Sequence, residues 1–213
     1  MMQPVAKVLL PLFEQAWVLS QQYDAVVANP PYMGGRGMMP ALKSFAQERF
    51  ADAKSDLFAM FMRRGLEFAK PDAMMSMVAM QAWMFLSSFE ELRSRILSQS
   101  TISSMAHLGP RAFAEIGGEI VQVTAFVIRY CVVPKYQAVY KRLIEGVEAE
   151  KILGLTTNSA STYTARQSDF RLIPGQPIAY WISERMRQCF QEGIPLGEIA
   201  EPRMGMATGD NSL

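Results

Sequence analysis

The chain has 213 residues, enough to bury the core of one medium-sized domain. Half of its residues are hydrophobic and 19% are charged, a composition that excludes an intrinsically disordered protein. The 21 Lys and Arg residues nearly balance the 20 Asp and Glu residues, so the net charge is +1. Any affinity for nucleic acid must therefore come from a local surface or from another domain.

Several classes of site and of protein are disfavoured by simple counts. The two cysteines, Cys131 and Cys189, lack metal-ligand spacing, and His107 is the only histidine. We therefore expect no metal site and no catalysis based on histidine. The sequence also contains neither a secretory signal pattern nor an apolar run long enough to cross a bilayer. These features predict a cytoplasmic protein with no membrane partner.

Helical and β-strand patterns alternate along the chain. Apolar spacing predicts a helix over residues 5–20, and the β-branched run from Tyr23 to Ala28 predicts a buried strand. Ser55 or Asp56 is the expected N-cap of a helix that ends near Phe68. Further helices are predicted over 40–49, 88–99, 136–153 and 182–192, strands over 74–81, 102–107 and 121–130, and a polar turn over 156–164. Such alternation is typical of a mostly parallel sheet with flanking helices.

The tetrapeptide Asn29-Pro30-Pro31-Tyr32 follows the first predicted strand and suggests a specific chemistry. An amino group on a purine ring is a poor nucleophile because its lone pair is delocalised into the ring. The side-chain carbonyl of Asn29 and the backbone carbonyl of Pro30 can accept hydrogen bonds from both amino hydrogens, and the prolines stiffen the turn. Tyr32 offers a flat face for an extruded base. The alternative interpretation is a simple strand-ending turn with a packing tyrosine.

The stretch Tyr23–Gly34, the segment Lys54–Phe58 and the run Phe68–Asp72 together resemble the adenine-specific methyltransferases of DNA. This group includes type IIG restriction-modification enzymes and the PglX-type methyltransferases of BREX phage-defence systems. The resemblance extends to Tyr130, with Asp72 where glycine is usual. A weaker similarity at Gly205–Leu213 resembles the junction with a target-recognition region.

The resemblance implies a partial class I, Rossmann-like methyltransferase fold with an antiparallel strand near residues 121–130. Residues 1–133 would be the catalytic half, and residues 134–213 a helical or irregular extension towards a target-recognition domain. The implied cofactor is S-adenosylmethionine, contacted by Asn29 and by residues of the following helix. The implied substrate is a flipped adenine in double-stranded DNA. The expected cofactor contacts on that helix are Leu57, Phe58 and Phe61, and the expected substrate contacts are Tyr32, Phe113 and Arg36.

Enzymes of this group bind the cofactor largely through a glycine-rich turn that precedes the catalytic motif. The 28 residues before Asn29 contain no glycine. We therefore expect the cofactor site to be completed by a separate N-terminal segment. Two alternatives remain open: an inactive remnant that serves as a partner-binding scaffold, and an amino-methyltransferase acting on protein glutamine. A generic nucleotide-binding domain is disfavoured because no phosphate-binding glycine-rich turn follows a strand.

Overall fold

A computed structural model describes residues 3–113, 121–157 and 161–201, with side chains described from residue 7 onwards. The helices of these residues are α1 (Gln3–Ser20), α2 (Pro40–Arg49), α3 (Leu57–Phe68), α4 (Glu90–Gln99), α5 (Glu148–Thr156), α6 (Gln167–Phe170), α7 (Glu184–Glu192) and α8 (Leu196–Ile199). The strands are β1 (Tyr23–Ala28), β2 (Ala69–Met80), β3 (Thr101–Gly109), β4 (Val123–Arg129), β5 (Gln137–Arg142) and β6 (Thr162–Arg166). The predicted junction at Gly205–Leu213 lies outside the described residues.

The six strands form one mixed sheet in the order β1-β2-β4-β3-β5-β6. The α/β class and the antiparallel β4 strand are confirmed, since β4 runs against both β2 and β3. The prediction of a mostly parallel sheet is confirmed in strand direction, since β1, β2, β3 and β5 run the same way, although among the described residues only β1 with β2 and β3 with β5 pair in parallel.

Residues 137–142 form a strand where a helix was predicted over 136–153. Burial alternates along β5, with Ala138 and Tyr140 in the core and Gln137 and Val139 exposed, which is the two-residue period of a half-buried strand. β6 pairs with β5 and occupies part of the predicted turn at 156–164. The interpretation of residues 134–213 as a helical or irregular extension is therefore wrong for these two strands, which continue the sheet.

Helix α3 covers β1 and β2 and fixes the core beneath the sheet edge. Its buried side chains include Phe58, Met62 and Leu66, which follow one helical face. Gly65 lies on the same face, and a Cβ atom there would lie only 2.6 Å from Sδ of Met75 on β2. The absence of a side chain at residue 65 thus allows the helix to approach the strand closely.

Asp72 explains one departure from the family pattern. Its φ is 71°, in the left-handed region that glycine adopts most readily. Aspartate tolerates this region better than most residues, and its carboxylate accepts two hydrogen bonds of 2.8 Å from the guanidinium of Arg129. Aspartate can therefore replace glycine in this turn.

Helix α1 is confirmed over nearly the predicted range, but its apolar side chains, among them Phe13 and Trp17, are exposed. Its C-terminal end is attached to the sheet layer by two contacts. The Tyr23 hydroxyl donates to the carbonyl of Val18 at 2.7 Å, and Arg64 donates to the carbonyl of Leu19 at 3.1 Å. Within the described residues, no helix has the length and apolar character needed to cross a membrane.

Candidate active site

The Asn29–Tyr32 motif lies at the edge of the sheet where β1, β2, β3 and β5 all end. Asn29 leaves β1 directly and is exposed, Pro30 is buried, and Tyr32 is half-buried. Proline cannot donate to a strand ladder, so Pro30 and Pro31 end β1 at this point. The amide of Asn29 is therefore presented at the carboxyl end of a strand, where open α/β sheets bind their ligands.

Asp56 fastens the loop after the motif to the start of α3. Its Oδ1 accepts a hydrogen bond of 3.0 Å from the backbone N–H of Met33 and one of 3.2 Å from that of Phe58. The N–H of Leu57 donates to the carbonyl of Met33 at 3.0 Å and closes the connection. The sequence predicted Ser55 or Asp56 as the helix cap, and the structure selects Asp56. The hydrogen bond of Asp56 to the loop 23 residues earlier was not predicted.

Tyr32 is supported from behind by the aromatic core. Its ring packs edge-on against Phe58, with ring centroids 6.1 Å apart and an angle of 86° between planes. Phe58 in turn contacts Phe89 at a centroid distance of 5.4 Å. Burial, with a smaller contribution from the Asp56 carboxylate, raises the pKa of Tyr32 above its ordinary value. Tyr32 therefore carries a neutral hydroxyl at physiological pH, and its ring packs on one side against Phe58.

An apolar groove of about 460 Å³ opens beside β1, between the strand and helices α2 and α3. Leu57 and Phe61, two of the residues predicted to contact the cofactor, line it, and Val27 on its β1 side is 80% exposed. The groove is apolar except for Arg64 and suits the ring portion of a nucleoside-like cofactor. The groove residues other than these four are Val26, Ala28, Leu42, Phe45, Phe50, Met60, Gly65, Phe68 and Met77.

Phe58 differs from the other predicted cofactor contacts. It has no exposed surface and does not line the groove. A direct contact between Phe58 and a cofactor does not fit this burial. The spacing of residues 57, 58 and 61 placed all three near the loop, but it could not distinguish the helix face that packs under Tyr32 from the face that borders the groove.

Phe113 and Arg36, the other two predicted substrate contacts, reach the same sheet edge by separate routes. Phe113 follows the end of β3 and is half-buried. Arg36 is exposed in the turn closed by the hydrogen bond from the N–H of Gly37 to the carbonyl of Gly34 at 2.9 Å. The topology brings both to the edge that carries Asn29, and their contacts with a substrate stay predictions. Among the described residues there is no group of three or more potential metal ligands.

Comparison with known sequences gives two close relatives. Residues 9–113 match the Eco57I restriction-modification methylase family. The chain is 50% identical over 192 residues to the adenine-specific methyltransferase BrxX of Escherichia coli O9:H4 (strain HS), covering 90% of this chain and 16% of that protein. It is 42% identical over 202 residues to the adenine-specific methyltransferase PglX of Lacticaseibacillus casei (strain Zhang), covering 92% of this chain and 17% of that protein.

The fold itself recurs in a solved structure of low sequence identity. The methyltransferase subunit of a type I restriction-modification system from Streptococcus thermophilus aligns with a TM-score of 0.50 and 18% identity, over 71% of this chain and 36% of that one. The chain spans only about one sixth of the length of the two curated relatives it matches. Residues 9–113 thus belong to an Eco57I-type restriction-modification methylase domain, within a chain similar throughout most of its length to adenine-specific methyltransferases.

Proposed function

We propose that this chain is the catalytic half of an adenine-specific DNA methyltransferase in restriction-modification or BREX phage defence. It would transfer a methyl group from S-adenosylmethionine to the exocyclic amino group of a flipped adenine. The observation that carries the proposal is the rigid Asn29–Tyr32 turn at the end of β1, held by Asp56. It occurs in a chain that is 50% identical to an adenine-specific methyltransferase.

The chemistry follows from two acceptors and one flat ring. The Asn29 side-chain carbonyl and the Pro30 backbone carbonyl would each accept one hydrogen of the adenine amino group, which favours the tetrahedral nitrogen whose lone pair attacks. Tyr32 would stack on the extruded base, an interaction worth roughly 1–3 kcal/mol. One amino hydrogen leaves as a proton after the transfer. Neither carbonyl is basic enough to keep that proton, so solvent accepts it.

S-adenosylmethionine, when bound, supplies the electrophilic methyl group. In this chain Leu57 and Phe61 would contact its ring portion, because both line the apolar groove beside the motif. Asn29 would lie between this groove and the base. The residues that bind the polar parts of the cofactor would come from an N-terminal segment, which we place along the exposed side of β1. Sequence recognition in DNA would come from a separate target-recognition domain.

Calorimetry with S-adenosylmethionine tests the cofactor part of the proposal. The titration uses the chain alone and then the chain mixed with the N-terminal segment of a close relative. Binding that appears only in the mixture supports a divided cofactor site. The absence of binding in both samples would instead favour a partner-binding scaffold without enzymatic activity.

Transfer of a labelled methyl group to an adenine-containing duplex tests the catalytic part in the same mixture. Asn29→Ala is expected to lower the rate at least about 100-fold, the usual effect of removing a preorganised polar group from an active site. Tyr32→Ala should also lower it strongly, whereas Tyr32→Phe keeps the stacking ring and most of the rate. Methyl transfer to protein glutamine instead of DNA would support the alternative substrate. Equal rates for Asn29→Ala and the unmodified chain would refute the assigned role.

A further inference from the structure

A second, polar pocket of about 530 Å³ opens at the same edge of the sheet as the Asn29–Tyr32 motif. It lies where β2, β3 and β5 end and β4 begins, and it shares no lining residue with the apolar groove. The proposed methyl transfer does not use it. The lining residues that matter here are Gln81, His107, Arg111, Gln122, Arg142 and Trp181.

A chain of hydrogen bonds orients the floor of this pocket. The amide nitrogen of Gln81 donates to Oε1 of Gln122, so Oε1 of Gln81 faces Nε2 of His107, which must donate to it. Nδ1 of His107 then accepts from the Tyr180 hydroxyl at 3.0 Å. Because burial, together with nearby positive charges, lowers the pKa of His107 to about 4, the ring is neutral at pH 7, and its hydrogen bond to Gln81 selects the tautomer with the proton on Nε2. The amide N–H groups of Gln122 are the donors at the end of the chain.

Arg142 brings a positive charge to the pocket at the end of β5. Its guanidinium lies 5.4 Å from the centre of the Trp181 ring, and its Nε is buried without a hydrogen-bond partner. Within the described part of the chain, no carboxylate oxygen lies within ion-pair distance of it. A buried donor without an acceptor is costly, and a guanidinium fork matches the oxygens of a phosphate.

Two further cations reinforce this charge. Arg111 lines the pocket, and the buried Lys151 donates to the carbonyls of Leu108 and Leu143, both at 2.6 Å, beneath it. Burial, followed by the charges of Arg142 and Lys151, lowers the pKa of His107 to about 4. Glu145 is the carboxylate on the pocket lining and is exposed to solvent. The cations outnumber it, so the pocket attracts anions.

We propose that this pocket binds a phosphodiester group of the DNA, several nucleotides away from the target adenine. Arg142 contacts the phosphate oxygens, Trp181 packs against the adjoining sugar or base, and Gln122 donates a further hydrogen bond. The assignment rests on the proposed function, because it takes DNA as the ligand. Four strand spacings separate β1 from β5, which carries Arg142, a distance of about 19 Å that corresponds to roughly five or six nucleotides of B-form DNA.

Fluorescence anisotropy of a short labelled duplex, measured with the full chain over a series of salt concentrations, tests this assignment. Arg142→Gln is expected to raise the dissociation constant about tenfold and to reduce the slope of log affinity against log salt by about 0.9. Arg142→Lys keeps the charge and loses the fork, so it should retain the slope and bind less tightly. Arg166→Gln is the matched control, because Arg166 is exposed and lies at the opposite edge of the sheet.

The outcomes separate this inference from the proposed function. The phosphate site would be refuted if Arg142→Gln and Arg166→Gln gave the same dissociation constant and the same salt slope. It would also be refuted if the unmodified chain did not bind the duplex at low salt. Neither result concerns methyl transfer, which the Asn29→Ala assay measures independently. Conversely, an Arg142-dependent salt slope in a chain that never methylates DNA would support the site and count against the enzyme. Circular dichroism of each variant verifies that it is folded.

Discussion

Lowering the pH from 7 to 5 is expected to destabilise the protein through His107, the only histidine in the chain. Burial, followed by the charges of Arg142 and Lys151, lowers its pKa from 6.5 to about 4. The unfolded chain regains the ordinary pKa, so between these values it binds a proton that the folded protein does not. The free energy of unfolding therefore falls as the pH falls through this window. At pH 5, which lies about 1.5 pH units below the pKa of the unfolded chain, the loss is about 2 kcal/mol, because each pH unit contributes about 1.36 kcal/mol.

Urea denaturation at both pH values, with the unmodified chain and His107→Gln, measures this loss. Carboxylates titrate in both proteins, so the difference between the two isolates the histidine. The unmodified chain should lose about 2 kcal/mol more than the variant. Because the chain has a single histidine, its imidazole proton resonance can be followed directly by NMR and should titrate near pH 4 in the folded state. A folded-state midpoint near 6.5, or equal losses in both proteins, would refute the argument.

Three other substitutions test the supports of the site and the core. Asp56→Ala should lower the free energy of unfolding by about 1 kcal/mol through the lost helix cap and should also slow methyl transfer. Asp56→Asn keeps an acceptor oxygen and should retain most of the stability and most of the rate. Urea denaturation and the methylation assay measure these effects, and equal effects of the two variants would contradict the prediction. Arg93→Met should lower the free energy of unfolding, measured by urea denaturation, by about 3 kcal/mol, because the buried guanidinium donates to the carbonyls of Trp83, Leu86 and Gly175. An unchanged denaturation midpoint would show that these hydrogen bonds are dispensable. Gly65→Ala should destabilise the protein because its Cβ atom would overlap with Met75. In a Met75→Ala background the overlap is removed, so the higher helix propensity of alanine should make the same substitution stabilising. Destabilisation in both backgrounds would count against the steric explanation.

The turn after β1 could be predicted because its signals are local. A β-branched run, two prolines and an N-cap aspartate define β1, its end and the start of α3 within a few residues of each position. The prediction that β1 is buried is wrong, because β1 is an edge strand and Val27 is 80% exposed. The hydrogen bond from Met33 to Asp56 joins residues that are distant in the chain, and no pattern of spacing indicates it. The same reason explains Phe58, whose buried orientation depends on Phe89 rather than on its neighbours in sequence.

The remainder of the sheet depended on long-range pairing. The β5 sequence alternates over only a few residues and is followed directly by Leu143 and Ile144, which also fit a helical pattern. Its strand conformation is selected by pairing with β3 and by Tyr140 stacking on Tyr180, at a centroid distance of 4.6 Å. The hydrogen-bond chain through His107 likewise joins β2, β3 and residue 180. The sequence therefore predicted no catalysis by this histidine but could not indicate its hydrogen-bond partners.

The position of β4 governs the order in which the sheet can be completed during synthesis. β2 and β3 precede β4 in the chain, yet each pairs with β4 and not with the other. Until residues 123–129 leave the ribosome, the facing edges of β2 and β3 have no partner, and unpaired edges recruit strands of other chains. The family match over residues 9–113 stops before β4. The stretch most recognisable as a methylase is thus not a folding unit by itself, because the strand that joins its two parts is synthesised after it.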